Sequence, residues 1–159
     1  MNEHSFIRAV HARLPPEIFR WKIHDTFAGG VPDAFYAGPA STLFVEYKYV
    51  KTLPKRDSTS IKTCLTNQQK HWLDTLHSFT QPVALVIGIG DQALVLLDKR
   101  WNTNISRTGF LEEAMPRNQV ATWIERVCTL GVKAGGNVGK ATHARCSREP
   151  SSDLEPEKI

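Results

Sequence analysis

The chain has 159 residues, of which 41% are hydrophobic, 9% aromatic and 23% charged, with a formal net charge of +4. This composition is too apolar for a disordered protein, and the length suits one globular domain that needs no disulfide or zinc to support its core. The apolar run 82–89 is too short to cross a bilayer, the charged first twenty residues do not resemble a signal peptide, and three widely spaced cysteines do not suggest a disulfide framework. We therefore expect a soluble intracellular, cytoplasmic protein, small enough to be encoded by a phage or mobile element.

Apolar periodicity and turn residues predict an alternation of helices and strands. In chain order these are a helix over 2–14, strands over 18–24, 33–37 and 42–50, a helix over 68–79, strands over 83–89 and 93–97, and a helix around 120–128. The order α-β-β-β-α-β-β-α predicts an α/β fold with a central mixed β-sheet flanked by helices, formed by residues 1–130. Residues 131–159 are rich in glycine and poor in large apolar side chains, which predicts a flexible C-terminal tail.

Strand 42–50 combines two apolar faces with two charges. Apolar residues on both faces predict a central strand that is covered on both sides. Glu46 and Lys48 nevertheless stand on one face, about 7 Å apart along the strand. Because buried ions need partners, this pair marks a candidate site, although a salt bridge on a partly exposed sheet face is the simpler interpretation.

The segment 29–33, Gly-Gly-Val-Pro-Asp, leads into the strand that pairs with 42–50. Counting residues about the turn sets Asp33 opposite residues 45–47, so Asp33 and Glu46 can converge. Two convergent carboxylates suit Mg²⁺, which binds one or two carboxylates together with a substrate phosphate. Lys48 would then orient or deprotonate the attacking water and offset charge in the transition state. The alternative for Asp33 is a turn residue after proline.

Positive charge concentrates between residues 46 and 70, which hold six lysines and arginines against two acidic residues. Residues 51–65 lack periodicity, and we expect them to form a mobile loop that grips a nucleic-acid backbone without reading sequence. An ordinary solvated loop is the alternative, as is a solvent-facing edge for the cations of strand 18–24. The candidate nucleic-acid contacts are Lys22, His24, Lys51, Lys55, Arg56, Lys62 and Lys70.

Pro32-Asp33 followed by Glu46-x-Lys48 resembles the motif of the PD-(D/E)XK nuclease superfamily. The wider match comprises 30–33 (Gly-Val-Pro-Asp), 43–48 (Leu-Phe-Val-Glu-Tyr-Lys) and 65–73 (Leu-Thr-Asn-Gln-Gln-Lys-His-Trp-Leu). It resembles the virus-type replication-repair nuclease (VRR-NUC) group, Holliday-junction resolvases and small phage endonucleases, over roughly residues 1 to 100. The resemblance implies a restriction-endonuclease-like core with the order α-β-β-β-α-β.

The resemblance also implies a metal-dependent hydrolysis of phosphodiester bonds, with Mg²⁺ as the metal and Mn²⁺ able to substitute. The site residues that it implies are Asp33 and Glu46 as metal ligands, the Tyr47 carbonyl as a third ligand, Lys48 as the catalytic lysine, Gln69 as a motif glutamine and Glu3 as a glutamate of the first helix. Gln69 could form a capping box with Thr66, which need not exclude the other role, and Glu3 could be a first-turn carboxylate that interacts with the helix dipole.

We therefore expect an endonuclease that acts on DNA and recognises branches, nicks or single strands rather than a long sequence. The resolvase resemblance also allows for a homodimer, since paired cuts need paired sites. The alternatives are a non-catalytic nucleic-acid-binding module on the same fold, and an exonuclease or RNA-cleaving enzyme with the same site. Other notable side chains are interpreted as surface residues (His4, His11, His71, His77) or as core residues (Trp72, Trp123).

Overall fold

The computed structural model of the protein describes residues 1–131. Its elements are α1 (Glu3–His11), β1 (Phe19–Lys22), β2 (Ala34–Ala37), β3 (Thr42–Tyr49), α2 (Asn67–Ser78), β4 (Val83–Ile89), β5 (Gln92–Leu96), a 3₁₀ turn (Arg100–Asn102), α3 (Arg107–Glu113), β6 (Met115–Pro116) and α4 (Arg117–Leu130). The tail predicted for 131–159 lies outside the described residues, apart from Gly131, which caps the C-terminus of α4. Among the helices of the described part, none is both long enough and apolar enough to span a membrane.

The strands form one sheet in the order β1-β2-β3-β4-β5-β6. All neighbouring strands are antiparallel except β3 and β4, which run parallel because α2 and its loops make the crossover between them. Strand β3 is thus interior, as its two apolar faces predicted, and the mixed sheet flanked by helices is confirmed.

Each face of the sheet has its own hydrophobic core. On one face, Phe6 of α1 and Ile124 of α4 pack with Val45 and Tyr47 of β3. On the other, α2, α3 and the 3₁₀ turn cover β4 and β5, with Leu73 and other apolar side chains buried between them. Because neighbouring residues of a strand point to opposite faces, Glu46 lies on the α2 face.

The turn between β2 and β3 is fixed by the end of α4. The backbone amides of Ala40 and Ser41 both donate to the Cys128 carbonyl, at 3.0 and 3.1 Å. A β-carbon at Gly38 would lie 2.7 Å from that same oxygen, so the approach requires glycine. The helix end therefore holds the connection whose length sets the pairing of β2 with β3.

Two predicted elements extend more than one residue beyond those of the structure. Helix α1 ends at His11 rather than at residue 14, because the chain tightens there: the Arg13 and Leu14 amides donate to carbonyls only three residues earlier. The strand predicted for 18–24 spans only Phe19–Lys22, and its four residues are all exposed. Its aromatic face is exposed because no element of residues 1–131 packs over Phe19 and Trp21.

Candidate functional site

The β2–β3 hairpin brings Asp33 beside β3. Ala34 pairs with Val45, so the next position sets Asp33 opposite Glu46, which confirms the predicted window of 45–47. Strand β2 begins at Ala34, so its backbone does not reach Tyr47 of β3. The Tyr47 amide instead donates to the side chain of Asp33, at 2.8 Å from Oδ2. Directly opposed residues share a sheet face, so Asp33 and Glu46 point to the same side.

Glu46 is the most constrained of the site's side chains, with only 1% of its surface exposed. Its Oε1 accepts from Lys48 Nζ at 2.7 Å and also from Nε2 of Gln69. Its Oε2 is buried and has no hydrogen-bond partner among the described residues. Buried carboxylate oxygens are normally bonded, so this free oxygen is a suitable ligand for a cation.

Gln69 forms the capping box that the sequence allowed and also contacts the candidate site. Its backbone amide donates to Thr66 Oγ1 and its Oε1 accepts from the Thr66 amide, which completes the capping box at the start of α2. The same side chain donates through Nε2 to Glu46. Gln69 is therefore a positioning residue, which ties the orientation of Glu46 to the first turn of a helix.

The glycine segment before Asp33 packs directly on that first turn. Gly30 has φ +82°, and a β-carbon there would lie 2.6 Å from Gln68 Cβ and 2.8 Å from the Gln69 amide nitrogen. Nε1 of Trp72 donates to the Gly29 carbonyl at 3.2 Å. Trp72 is half-buried, so its assignment to the core was wrong. The sequence showed a glycine pair but gave no sign of the helix that it contacts.

Burial and mutual repulsion change the ionisation of the two carboxylates. Burial, followed by the charge of Asp33, raises the pKa of Glu46 to about 7, against the opposing effect of Lys48. Burial likewise raises the pKa of Asp33, while the Tyr47 amide and the Lys48 charge oppose that change. A cation between these groups would replace the protons that they otherwise tend to keep.

Lys48 is held in its charged form. Burial by itself would lower the pKa of Lys48, but the hydrogen bond and charge of Glu46, with the charges of Glu3 and Asp33, raise it above the ordinary value. An ammonium group that is paired in this way can orient a water or offset negative charge, but it does not readily accept a proton. Of the two functions predicted for Lys48, the charges favour orientation over deprotonation.

Glu3 lies at the border of the site rather than among its carboxylates. With Lys48 it lines a cleft of about 670 Å³ that continues along the segment after β3. Burial raises its pKa, and the largest opposing effect is the charge of Lys48. Within residues 1–131, however, no three His, Cys, Asp or Glu side chains form a group that could hold a metal ion. The structure therefore does not join Glu3 to Asp33 and Glu46 in a three-carboxylate cluster.

Tyr47 could serve a cation only through its carbonyl. Its side chain is fully buried on the opposite face of the sheet, where its hydroxyl bonds to that of Tyr36 at 2.8 Å. Tyr36 in turn bonds to His11 Nε2 at 2.8 Å. His11 is half-buried in this chain of hydrogen bonds, so its interpretation as a surface residue was wrong. This series of hydrogen bonds fixes the position of Tyr47, whose backbone amide donates to Asp33.

The candidate nucleic-acid contacts lie at different distances from the carboxylates. Lys62 lines the cleft with Lys48, and Lys70 follows Gln69 on α2. Lys22 acts on Asp33 by its charge and donates to Nδ1 of His4 at 2.8 Å. The remaining four are exposed and do not line the cleft: His24, Lys51, Lys55 and Arg56.

The segment 51–65, predicted to be a mobile loop, is tied to the rest of the protein at several points. Ile61 is buried and forms a β-bridge with Ile105. Arg107 donates to the Pro54 carbonyl, and the Thr108 amide donates to Asp57. These contacts with the region of α3 hold one wall of the cleft, and the mobility of the loop stays a prediction.

We expect Thr66→Ala and Gln69→Ala to separate the two functions of Gln69. Thr66→Ala removes the cap and should lower the free energy of unfolding by about 1 kcal/mol. Gln69→Ala should cost more, because it also removes a hydrogen bond to the buried Glu46 carboxylate. Urea denaturation of both variants measures this, with Ser106→Ala, which uncaps only α3, as the control. Equal losses in the two variants would contradict the bond to Glu46.

The chain matches no family model and no curated protein. Among solved structures it is similar to Hjc from Archaeoglobus fulgidus, a Holliday junction resolvase from an archaeal hyperthermophile. The two chains are 14% identical, the match covers 75% of this chain and 99% of that one, and the TM-score is 0.47.

Proposed function

We propose that the protein is a metal-dependent nuclease that hydrolyses phosphodiester bonds in DNA. The observation that carries this proposal is the convergence on one sheet face of Asp33, Glu46 and Lys48, with a buried oxygen on Glu46 that has no hydrogen-bond partner in residues 1–131. A salt bridge alone would account for Glu46 and Lys48. It gives no reason for a second carboxylate close enough to raise the pKa of the first.

In this proposal Asp33 and Glu46 hold Mg²⁺, with Mn²⁺ able to substitute, and the Tyr47 carbonyl is a further ligand. Such a cation would polarise a phosphoryl oxygen of the scissile bond as a Lewis acid. Lys48 orients the attacking water and offsets charge that grows on the phosphate. Gln69 keeps Glu46 in position, and Glu3 adds negative charge at the mouth of the cleft. Membership of the PD-(D/E)XK superfamily and of its VRR-NUC group belongs to the proposal and is supported by the motif spacing.

The proposed substrate is DNA with a branch, a nick or a single-stranded part. A cleft that runs from Lys48 to Lys62 suits a phosphate backbone, and contacts to phosphate do not read sequence. Paired cuts in a branched substrate would need two sites, so the proposal includes a homodimer, which sedimentation equilibrium would detect.

The decisive experiment is to incubate the protein with supercoiled plasmid and Mg²⁺ or Mn²⁺, with and without a chelator. We expect nicking that requires the metal, and a loss of about 10²-fold in Lys48→Ala, because one charge that stabilises the transition state is removed. Arg126→Ala, an exposed cation on α4, is the matched control. Plasmid that is bound but left uncut by the wild-type protein would instead support the non-catalytic binding module.

The same assay extends to the choice of substrate. Four-way junction, nicked duplex, intact duplex, single-stranded DNA and RNA would be compared at equal concentration, each with a label at one end. Internal products from branched or single-stranded DNA support the proposal. Stepwise shortening from an end would indicate an exonuclease, and a preference for RNA would indicate the third alternative.

We expect the stabilisation by Mg²⁺ to grow as the pH rises. The pKa of Glu46 is raised to about 7, so protonation of Glu46 favours the folded state. This contribution to stability is complete at low pH and is lost as the pH rises through that value. A cation binds the ionised form, so its effect on Tm should be larger near pH 8 than near pH 6. Differential scanning fluorimetry with and without Mg²⁺ measures both effects. Equal shifts at the two pH values would contradict binding at Glu46.

A further inference from the structure

Strand β1 exposes an unusual amount of aromatic surface. Its sequence, Phe-Arg-Trp-Lys, is exposed at every position, and 59% of Phe19 and 55% of Trp21 are accessible to solvent. Single apolar side chains on a surface are normal, but two large rings on one face of an edge strand form a patch. In residues 1–131, no element covers this patch.

The patch is continuous with the candidate site. Trp21 pairs with Phe35 and Phe35 pairs with Phe44, so these rings share the face that carries Asp33, Glu46 and Lys48. The ring centroids of Phe19 and Phe35 are 6.4 Å apart, and those of Phe35 and Phe44 are 4.9 Å apart. An aromatic row thus runs from the sheet edge to the residue two positions before Glu46.

We propose that this row, Phe19, Trp21, Phe35 and Phe44, is a stacking platform for unpaired nucleobases. The inference rests on the proposed function and deepens it, because it names a strand with unstacked bases as the substrate class. Aromatic side chains stack on every base and so bind single strands without reading sequence. Paired bases in an intact duplex are already stacked and cannot use such a surface.

The charges beside the row favour a polyanion. Arg20 and Lys22 alternate with the two rings along β1, and both are exposed on the other face of the strand. A strand with rings on one side and cations on the other can hold bases and phosphates of the same chain together. Lys22 also acts on Asp33 by its charge, so its positive potential reaches the carboxylates of the candidate site.

The same charges disfavour a second copy of the chain as the occupant. Two β1 strands that pair about a two-fold axis with their rings on one face set cations opposite cations: Arg20 faces Lys22 of the other copy in one register, and in other registers either residue faces its counterpart in the other copy. Like charges directly opposite each other destabilise a strand pair, and lysine on an edge strand is a common way to prevent such pairing.

The test is the binding of fluorescein-labelled oligo(dT) and of a blunt duplex, measured by anisotropy in chelator so that no cutting occurs. Trp21→Ala should weaken binding of oligo(dT) by roughly 5- to 100-fold for the loss of one stacked base, and binding of the duplex far less. Trp21→Phe should retain most of the affinity. Leu111→Ala removes an equally exposed apolar residue near the opposite edge of the sheet and should change neither.

Three outcomes would overturn the platform: unchanged oligo(dT) binding in Trp21→Ala, equal losses for single strand and duplex, or a wild-type dimer that this substitution dissociates. Trp21→Val, which suits an exposed strand, replaces the alanine variant if thermal melting shows that the latter is unfolded. The platform and the nuclease can fail separately. Selective loss of single-strand binding in a protein that never cuts supports the platform alone, and metal-dependent cutting of single strands that Trp21→Ala leaves unchanged supports the nuclease alone.

Discussion

Replacing Glu46 by glutamine is expected to reduce metal-dependent cleavage by more than about 10³-fold and to leave the protein folded. The loss follows from the charge: a cation that stabilises the transition state by several kcal/mol is no longer attracted, and each 1.36 kcal/mol is about a factor of ten in rate. The fold should persist because the amide oxygen of a glutamine can accept the bonds from Lys48 and Gln69, while its NH₂ group takes the place of the unpartnered Oε2.

Single-turnover cleavage of a labelled nicked or branched DNA measures the rate, and circular dichroism measures the fold. Glu112→Gln, an exposed carboxylate on α3, is the matched control and should behave as wild type. Asp33→Asn should approach the Glu46→Gln result, since both carboxylates contribute to one cation. Full activity in a folded Glu46→Gln variant would mean that Glu46 and Lys48 are only a structural ion pair, and it would contradict the proposed nuclease mechanism.

Gly30→Ala is expected to lower the free energy of unfolding by roughly 2 to 5 kcal/mol and to reduce cleavage as well. Two causes add at this position. The residue has φ +82°, which L side chains rarely adopt, and the new β-carbon would collide with backbone atoms of Gln68 and Gln69. Backbone cannot move aside as a flexible side chain can, so either the start of α2 or the segment before Asp33 must shift. Both shifts disturb the contact between Gln69 and Glu46.

Gly90→Ala separates these two causes. Gly90 also has a positive φ, of +59°, but a β-carbon there would have no heavy atom of the described residues within 4 Å. Its substitution should cost only about 1 to 2 kcal/mol for the backbone conformation and leave cleavage unchanged. Urea denaturation and plasmid nicking of the two variants make the comparison. Equal losses of unfolding free energy in Gly30→Ala and Gly90→Ala would show that the collision with the start of α2 adds no cost.

The features that the sequence predicted well depend on short-range regularities. The pairing of Asp33 with the centre of β3 followed from counting residues about one turn, because side chains alternate strictly along a strand. The interior position of β3 followed from apolar residues on both of its faces. The capping box of α2 was likewise visible as Thr66 and Gln69, three residues apart.

The features that it missed depend on contacts between distant segments. The alternating pattern predicted a strand for β1, but alternation alone does not show whether a helix covers one of its faces. The segment after β3 lacked periodicity, and its bridge from Ile61 to Ile105 depends on a partner more than forty residues away. Helix α3 and strand β6 are only 7 and 2 residues long, too short for a periodicity to emerge. His11 was assigned to the surface because its partner, Tyr36, lies on another element.

The attachment of the β2–β3 turn to α4 has a consequence for how this chain can vary. Adding or removing one residue in the connection 38–41 would slip the hairpin by one position and send the Asp33 carboxylate to the far side of the sheet from Glu46. Apart from Gly38, whose close contact with Cys128 requires glycine, substitutions in that connection are more tolerable than a change in its length. The Cys128 carbonyl accepts hydrogen bonds from two amides of the turn, and these bonds therefore favour a connection of this one length. The spacing of thirteen residues between the two acids is kept, in part, by a helix at the other end of the chain.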